Sequence, residues 1–315
     1  MPTRVVLHPL SVTGLLEELR RMDDIEVIAA ADDDEVEAAL AAGAQILLTY
    51  TWKPQFLTPA LRWIQGVGAG YEQYPLDEFD REGIVLTTAT GVHVVVAEAA
   101  FGLLLALTRR IADAVRDAQQ HRWIAREGLE LAGSTIGIIG LGTIGEAFAR
   151  RAQGWDVEII GYKRNPDRYD GVVGQIYGPG SLLDVCAMAD ILVLTLPGSQ
   201  ETTGLIGADE LAALGEGWLI NVGRGSVVDE QALIAALTEG DLRGAGLDVF
   251  EVEPLPDDSP LWDMGNVVVT PHTAGDTPRY GERLAKIFDH NLRAFRGEGA
   301  HWVNRVVDGQ RLDRS

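Results

Sequence analysis

The chain has 315 residues and a formal net charge of −21, from 47 acidic residues against 26 basic ones. This balance repels nucleic acid and anionic membrane and leaves no basic footprint for either. With 46% hydrophobic residues the chain can bury a sizeable core, and its single cysteine, Cys186, excludes an intrachain disulfide and a cysteine-based metal site. The longest apolar run, 99–107, is too short to span a bilayer, and the N-terminus lacks the apolar region of a secretory signal. We therefore expect a cytoplasmic protein with no membrane or nucleic-acid partner.

The first hundred residues alternate between short apolar strands and amphipathic helices. Strands are predicted at 4–8, 25–30, 44–50, 61–68 and 83–88, and helices at 12–22, 34–43 and 75–83. This alternation is typical of a parallel sheet with helical crossovers. One long helix with apolar residues at 3–4 spacing is predicted next, at 97–119.

A second alternating series begins at Ser134. Strands are predicted at 135–140, 157–161, 190–196, 217–222, 244–250 and 266–271, and helices at 143–153, 181–189, 208–214, 229–240 and 278–297. The fold class predicted is α/β, with two doubly wound parallel-sheet, Rossmann-like domains and a cleft between them. The long final helix can return the chain to the first domain, so we expect that domain to be discontinuous, at 1–98 and 286–315, with the second at 99–285.

A glycine motif opens the second series. Gly140, Gly142 and Gly145 have GxGxxG spacing directly after an apolar strand and at the start of an amphipathic helix. In a dinucleotide-binding turn the three glycines serve the tight turn, the approach of the pyrophosphate and the close packing of helix on strand. The N–H groups of the first helical turn then attract the phosphates. A tight strand-to-helix turn without a ligand is the alternative.

Two cations stand where such a site usually has an acid. A carboxylate about 20 residues after the glycines normally binds the adenosine ribose, but this chain has Lys163 and Arg164 there. Only two other lysines occur in the whole chain, so a cationic pair at this place is informative. Two cations would bind a 2′-phosphate, which a carboxylate would repel. The sequence therefore favours NADP over NAD, with NAD as a weaker cofactor and a solvated basic turn as the alternative.

Three further segments place polar residues just past predicted strands of the second series. "NVGRGSVVDE" presents Arg224 between two glycines, "LDVFEVEPLP" carries Asp248, Glu251 and Glu253, and "TPHTAG" carries His272. Ligands of an open parallel sheet bind beyond the carboxyl ends of its strands, where all three segments and the glycine turn are expected.

In these segments and in "GLGTIG" the chain resembles the D-isomer specific 2-hydroxyacid dehydrogenase family over nearly its whole length. The resemblance implies that Arg224 binds the carboxylate and carbonyl of the substrate, that His272 is the acid/base and that Glu253 is its partner. Glu253 is favoured over Glu251 because the family pattern places this carboxylate directly before a proline. Asp248 would lie near the nicotinamide, and a homodimer built on helix 97–119 is expected.

The resemblance also implies binding residues. Further cofactor contacts are expected from Thr143, Ile144, Asn165, Leu196, Pro197, Thr202, Val222, Gly223 and Gly275. In the first domain the backbone N–H groups of Val67, Gly68, Ala69 and Gly70 would bind the substrate carboxylate. Tyr50 and Trp52 line an apolar substrate pocket in this interpretation, with ordinary packing as the alternative.

The chemistry of these residue types suits one reaction. A 2-oxo acid is an anion with an adjacent ketone, and a guanidinium fork can hold both oxygens. Reduction needs a hydride at carbon, which a nicotinamide supplies, and a proton at oxygen, which a histidine can supply near neutral pH. We therefore predict NADPH-dependent, reversible reduction of a 2-oxo acid to a D-2-hydroxy acid, with no catalytic metal.

Two other classes of function remain open on the sequence. The chain could be a catalytically weak, dinucleotide-sensing protein similar to corepressors related to this family, although Arg224, Glu253 and His272 are all present. It could instead be an imine or amino-acid dehydrogenase, although its lysines are poorly placed for that chemistry. The acid-rich, lysine-poor composition resembles that of proteins from salt-loving organisms, and a GC-rich genome is the alternative explanation.

Overall fold

A computed structural model describes residues 2–9, 12 and 14–307. The chain forms two compact units, Met1–His93 with Asp276–Ser315 and, between them in sequence, Val94–Gly275. The predicted boundaries, after residue 98 and before residue 286, lie later in the chain than these. The second of them would cut the final helix, whose buried residues Leu284, Phe288 and Leu292 all pack in the core of the first unit.

The first unit is built on a six-stranded sheet of order β13-β5-β4-β3-β1-β2. Its strands are β1 Thr3–Leu7, β2 Ile25–Ala29, β3 Ile46–Thr49, β4 Trp63–Gly66, β5 Val85–Thr87 and β13 Arg305–Val307. The first five are parallel, and β13 pairs antiparallel with β5. The strand order reverses between β1 and β3, which is the switch point of a doubly wound sheet.

Helices cover both faces of this sheet. They are α1 Leu15–Arg20, α2 Asp33–Ala41, α3 Leu76–Glu82 and α10 Tyr280–Phe295. One core lies beneath α2 and α3, and the other lies beneath α1 and α10. In the second core the ring of Trp63 stacks on Phe288 with centroids 4.9 Å apart. Burial of both faces explains why the strands read as continuous apolar runs.

The second unit has a seven-stranded, wholly parallel sheet of order β12-β11-β10-β9-β6-β7-β8. Its strands are β6 Thr135–Ile139, β7 Glu158–Tyr162, β8 Gln175–Tyr177, β9 Ile191–Leu194, β10 Trp218–Asn221, β11 Gly244–Leu247 and β12 Val267–Val269. The order reverses between β6 and β9, so the glycine motif after β6 lies at the switch point, where dinucleotides bind in such sheets.

The helices of the second unit also lie on both faces. They are α4 Val96–Thr108, α5 Ile111–Gln119, α6 Thr143–Ala152, α7 Leu182–Met188, α8 Ala208–Leu214 and α9 Glu230–Glu239. Helices α4 and α6 cover one core, and α7, α8 and α9 cover the other. The predicted fold class, α/β with two doubly wound parallel sheets, is confirmed.

The single helix predicted at 97–119 is wrong, because the chain breaks between α4 and α5. Arg110 adopts a left-handed conformation with φ of +56°, which ends the first helix and redirects the second. The freed carbonyl of Thr108 accepts the N–H of Leu129 at 2.7 Å instead of continuing the helix. No single helix of the described residues is long and apolar enough to cross a membrane. The pair 92–108 and 111–119 passes that test only in combination and is bent by 69°.

Candidate active site

The glycine turn has the geometry that the GxGxxG spacing predicts. Gly140 has φ of +104°, a conformation that favours glycine. A Cβ on Gly145 would lie 2.2 Å from the carbonyl oxygen of Gly140, so only glycine lets α6 pack this closely on β6. A Cβ on Gly142 would meet nothing within 4 Å, which leaves the surface over the turn open. Gly142 is also the N-cap of α6 and offers no side-chain cap, so the first-turn N–H groups can bind an anion.

A pocket of about 430 Å³ adjoins this turn. It is lined by Gly140, Leu141, Gly142, Tyr162, Lys163, Arg164, Asn165, Pro179, Leu196, Pro197, Glu201, Thr202 and Leu205. Eight of the predicted cofactor residues therefore share one pocket at the switch point of the sheet. Of the other predicted cofactor residues, Thr143, Ile144 and Gly145 open α6, Val222 and Gly223 follow β10, Asp248 follows β11, and Gly275 ends the His272 loop.

The two cations after β7 have different surroundings. Lys163 is partly buried, and its Nζ donates to the carbonyl oxygen of Leu141 at 2.8 Å, within the glycine turn itself. Arg164 is exposed and pairs with Glu201 at 2.8 Å. Lys163 thus braces the turn, whereas the Arg164 guanidinium is free to exchange its surface partner for a ligand phosphate.

Glu201 is a pocket residue that the sequence reasoning missed. It follows β9 in the segment "LPGSQET", far along the chain from the position where a ribose-binding acid is expected. Its carboxylate places one negative charge against Arg164 and would oppose a 2′-phosphate unless the arginine neutralises it. No local sequence signal separates it from the many other surface acids of this chain.

The Arg224 loop is shaped by a buried asparagine at the end of β10. Asn221 donates through Nδ2 to the Arg224 carbonyl at 3.0 Å and accepts the Gly223 N–H at 3.1 Å. A Cβ on Gly225 would lie 1.9 Å from the carbonyl of Phe250, so this glycine lets the Arg224 loop touch the loop after β11. The Arg224 guanidinium donates only to the carbonyl of Gly223, at 2.8 Å, among the described residues. Its remaining donors are therefore available to a ligand.

His272 and Glu253 form a directly bonded pair. Nδ1 of His272 lies 2.6 Å from Oε2 of Glu253, and Oε1 of Glu253 accepts the N–H of Phe250 at 3.0 Å. About 42% of the histidine side chain is exposed, so its other ring nitrogen can reach a substrate. Glu251 takes no part in this pair: its backbone N–H donates to Glu230 at 3.2 Å, which fixes the loop before Glu253.

Asp248 is 2% exposed and organises the histidine loop. One carboxylate oxygen accepts Oγ1 of Thr270 at 2.5 Å and the N–H of Thr273 at 3.0 Å, and the other accepts the N–H of Ala274 at 3.0 Å. Its backbone carbonyl accepts the N–H of His272 at 2.8 Å. Through these bonds the side chain has a direct structural role, which is to hold the turn that carries the histidine.

In the first unit, the segment 67–70 follows β4 as a short loop. The N–H of Val67 donates to Thr49 at 3.0 Å, and the carbonyl of Gly68 accepts the N–H of Ala89 at 2.8 Å. The N–H groups of Gly68, Ala69 and Gly70 have no acceptor among the described residues. Consecutive free N–H groups of this kind form an anion-binding concavity.

The two predicted pocket aromatics are placed differently. Tyr50 is 49% exposed, and its ring lies where a Cβ on Gly68 would come within 2.8 Å. It therefore borders the 67–70 loop and still faces solvent. Trp52 packs edge-on against Phe79 and Phe56, with ring centroids 4.6 and 6.1 Å apart. Its contacts are those of a core residue, which was the alternative to a substrate role.

No group of three or more His, Cys, Asp or Glu residues in the described part of the chain is arranged to hold a metal ion. The chemistry suggested by the site is that of an acid/base pair and a free guanidinium beside a turn built for phosphates.

The match to known families agrees with this geometry. Residues 101–274 match the NAD binding domain of the D-isomer specific 2-hydroxyacid dehydrogenases, and this stretch is more than half of the chain. The protein belongs to the D-isomer specific 2-hydroxyacid dehydrogenase family. It is an oxidoreductase of that family with a nicotinamide dinucleotide cofactor, as the resemblance implied.

Individual relatives show which enzymes of the family the chain is similar to. The chain is 34% identical over 291 residues to a glyoxylate reductase of Korarchaeum cryptofilum, covering 89% of this chain and 82% of the relative. It is 39% identical over 246 residues to glyoxylate/hydroxypyruvate reductase B of Yersinia pestis, covering 75% and 74%. A solved structure of an NADPH-dependent glyoxylate/hydroxypyruvate reductase of Sinorhizobium meliloti, in complex with NADP and malonate, is similar with a TM-score of 0.83 and 32% identity, covering the whole of both chains.

Proposed function

We propose that the protein reduces a small 2-oxo acid to the D-2-hydroxy acid, in a reversible reaction that prefers NADPH over NADH. The observation that carries the proposal is the His272–Glu253 pair, joined at 2.6 Å on the same sheet edge as the glycine turn. Glyoxylate and hydroxypyruvate are the first substrates to test, because similar proteins are reductases of these acids. The first unit is assigned to the substrate and the second to the dinucleotide.

The residues of the second unit fit a phosphorylated dinucleotide. The open surface over Gly142 and the uncapped start of α6 suit a pyrophosphate. Arg164, with its exposed guanidinium, is the residue best suited to a 2′-phosphate, and Lys163 supports the turn beside it. The bound nicotinamide would supply the hydride for the reduction.

The proton is assigned to His272. Glu253 receives Nδ1–H of the ring, which leaves Nε2 for the substrate oxygen and stabilises the imidazolium before the proton is given up. Asp248 keeps the histidine loop in place through three side-chain hydrogen bonds. In the reverse direction the same nitrogen accepts the hydroxyl proton.

The substrate anion is assigned to two kinds of donor. The Arg224 guanidinium, with most of its donors unused, can bind the carboxylate and the ketone oxygen together. The free N–H groups of residues 68–70 suit a carboxylate as well. Tyr50, beside that loop, is assigned to the side chain of the oxo acid.

The test follows absorbance at 340 nm with NADPH or NADH and a panel of 2-oxo acids that includes glyoxylate and hydroxypyruvate, at low and high salt. The proposal expects oxidation of NADPH with at least one acid, a lower KM for NADPH than for NADH, and the D enantiomer wherever the product is chiral, as it is from hydroxypyruvate but not from glyoxylate. NADPH binding without turnover of any acid would favour a sensor. Oxidation of NADPH only when an amine is added to the oxo acid, so that an imine is the compound reduced, would favour an imine or amino-acid dehydrogenase.

A further inference from the structure

The first turn of α10 contacts the 67–70 loop through a partly buried tyrosine. The hydroxyl of Tyr280 donates to the backbone carbonyl of Val67 and lies 3.2 Å from Nε2 of His93. The rings of Tyr280 and His93 meet edge-on with centroids 5.4 Å apart. Burial is the main cause that raises the pKa of Tyr280, so its hydroxyl stays protonated and keeps donating. The carbonyl of Val67 is thereby fixed from the helix side.

This contact completes the restraint of the loop. The Val67 N–H is held by Thr49, and the Gly68 carbonyl is held by Ala89. With the Val67 carbonyl also held by Tyr280, the peptide groups at the start of the loop are bonded on both sides. The N–H groups of residues 68–70 are left as the free donors of a restrained segment, which lowers the entropy lost when they bind an anion.

Arg283 lies on the same turn of α10, three residues after Tyr280. Its Nη2 donates to Oγ1 of Thr277 at 2.6 Å, and its Nε is buried with no hydrogen-bond partner among the described residues. No ion pair involves it in the described part of the chain, although the chain has 21 excess negative charges. Burial and then the charge of Asp276 raise the pKa of the Tyr280 hydroxyl, and the charge of Arg283 lowers it by a smaller amount, so both charged groups lie near that hydroxyl.

The position is a poor one for a cation that only stabilises the helix. The first turn of a helix favours acidic side chains, because the helix dipole is positive there. Glu282 satisfies that preference, and its two ion pairs lower its pKa to about 2. Arg283 instead carries positive charge into the turn and leaves a buried donor unsatisfied, which costs free energy unless a ligand or water accepts from it. An anion bound by the guanidinium would offset both costs.

We propose that the first turn of α10 is part of the substrate site, with Arg283 binding the C1 carboxylate of the 2-oxo acid and Tyr280 positioning the 68–70 amides that share it. The proposal rests on the proposed function and adds a second guanidinium to the one assigned to Arg224. Arg283 is a binding residue in this assignment. Tyr280 acts through the loop and is a positioning residue.

The test compares four variants. Arg283→Gln removes the charge, Arg283→Lys keeps the charge without the fork, and Tyr280→Phe removes the hydroxyl. Arg279→Gln is the matched control, since Arg279 is the N-cap of the same helix and, among the described residues, forms its ion pair with Glu282 at the surface. For each variant, kcat and KM are measured for glyoxylate and for 2-oxoglutarate, with KM for NADPH, Tm, and the Kd of oxamate in the presence of NADPH.

We expect Arg283→Gln to raise KM for both acids and Kd for oxamate about 10- to 100-fold, the range for a lost charge-assisted hydrogen bond. Arg283→Lys should raise these constants less than Arg283→Gln does. Tyr280→Phe should raise KM for the acids with kcat kept within about twofold, since the tyrosine acts on substrate binding. KM for NADPH should stay unchanged in all four. Arg279→Gln should leave oxamate binding unchanged.

Three results would overturn the assignment. Equal losses of oxamate affinity in Arg279→Gln and Arg283→Gln would mean that the arginines act only through general electrostatics. A raised KM for 2-oxoglutarate alone would mean that Arg283 binds the distal carboxylate of that acid and not the C1 carboxylate. Unchanged oxamate binding in Arg283→Gln would show that Arg283 does not bind the substrate. The proposed function would still stand if the wild type reduced a 2-oxo acid. If the wild type bound oxamate but reduced no acid, the proposed function would be wrong, and the oxamate Kd of the variants would still test whether Arg283 binds a carboxylate. If Arg283→Gln unfolds, Arg283→Lys carries the same comparison.

Discussion

The carboxylate of Glu253 uses its two oxygens for two different partners. Oε1 accepts the backbone N–H of Phe250 at 3.0 Å, and Oε2 accepts from Nδ1 of His272 at 2.6 Å. The first bond fixes the carboxylate on its own loop, so the second fixes the rotation of the imidazole. His272 itself has φ of +53°, an uncommon conformation for a residue with a side chain. Its N–H is held by the carbonyls of Asp248 and Thr270 at 2.8 and 3.0 Å, which maintain that conformation.

This relationship predicts how two substitutions differ. His272→Ala removes the proton donor, and we expect kcat to fall about 10²- to 10⁴-fold, the usual contribution of general acid catalysis. Glu253→Gln keeps the histidine but exchanges its charged partner for a neutral amide, and a smaller loss in kcat is expected. Steady-state kinetics with NADPH and the best 2-oxo acid of the panel measure both.

Binding of the cofactor separates a catalytic loss from a folding loss in these variants. The NADPH affinity of His272→Ala, measured by nicotinamide fluorescence, should equal that of the wild type because the histidine lies outside the glycine turn and its pocket. A near-wild-type kcat in His272→Ala would remove the acid/base assignment. Lost NADPH binding would point to damage of the loop.

The second prediction concerns the choice between NADPH and NADH. Arg164 is exposed and Lys163 is bonded to the glycine turn, so their substitutions should act differently. Arg164→Ala should raise KM for NADPH about 10-fold or more and leave KM for NADH nearly unchanged, because only NADPH carries the 2′-phosphate. Lys163→Ala should weaken both cofactors, since the turn loses its brace, and the double variant should weaken NADPH most.

Glu201→Gln is the matched variant for that experiment. It removes the carboxylate that pairs with Arg164 at 2.8 Å, and it should lower KM for NADPH by freeing the arginine and removing a repulsive charge. Equal losses for NADPH and NADH in Arg164→Ala, with no gain in Glu201→Gln, would mean that the two cations act only through general electrostatics.

Features encoded within a few consecutive residues were predictable from the sequence. The spacing of Gly140, Gly142 and Gly145 reports local backbone constraints, and the structure shows both the positive φ and the 2.2 Å approach that require them. The placement of Arg224, Glu253 and His272 past strand ends followed from apolar runs and from the rule that parallel strands end at one edge. These patterns are local, so they can be recognised in a single sequence.

Features decided by tertiary partners were not predictable. The break at Arg110 depends on the Thr108 carbonyl bonding Leu129, which no 3–4 spacing records. The short strands β8 and β13 exist through their pairing with β7 and β5. Likewise, the bonds from Tyr280 to Val67 and from Arg164 to Glu201 join residues far apart in the chain, so composition alone gave no sign of them.

The third prediction concerns the oligomeric state. A homodimer stays an expectation from the family resemblance, and we place its interface on the exposed apolar residues of α5 and of the segment after it. Ile111 and Val115, four residues apart on α5, are 50% and 53% exposed, and Trp123 is fully exposed. We expect the wild type to be a dimer by size-exclusion chromatography with light scattering. Ile111→Glu with Val115→Glu should give a monomer with Tm changed only slightly, and a monomeric wild type would contradict the expectation.

The fourth prediction uses Asp117, which ties the segment after α5 to that helix. Its side chain is 5% exposed, and its carboxylate pairs with Arg126 and with Arg122, the latter at 2.7 Å. The hydrogen bond from Arg126, followed by that from Arg122, holds the pKa of Asp117 below its ordinary value of 3.8. A lowered pKa means that the folded state favours the charged form, so this stabilisation is present above the ordinary value and is lost as pH falls through the folded pKa.

Asp117→Asn should therefore lower Tm relative to the wild type by a constant amount from pH 8 down to about pH 5. The gap should shrink once the pH falls below the ordinary value of 3.8, because the unfolded chain then takes up a proton that the folded carboxylate, with its lowered pKa, still excludes. Trypsin should cleave at Arg122 and Arg126 faster in the variant, because both arginines lose their buried anchor. Asp113→Asn is the matched control, since Asp113 pairs with Arg110 and Arg116 and has no direct ion pair with Arg122 or Arg126 among the described residues. A gap that persisted unchanged at pH 3 would show that Asp117 stabilises the segment by packing and neutral hydrogen bonds, because a charge-dependent contribution has to shrink once the pH is below the pKa of the carboxyl in the unfolded chain.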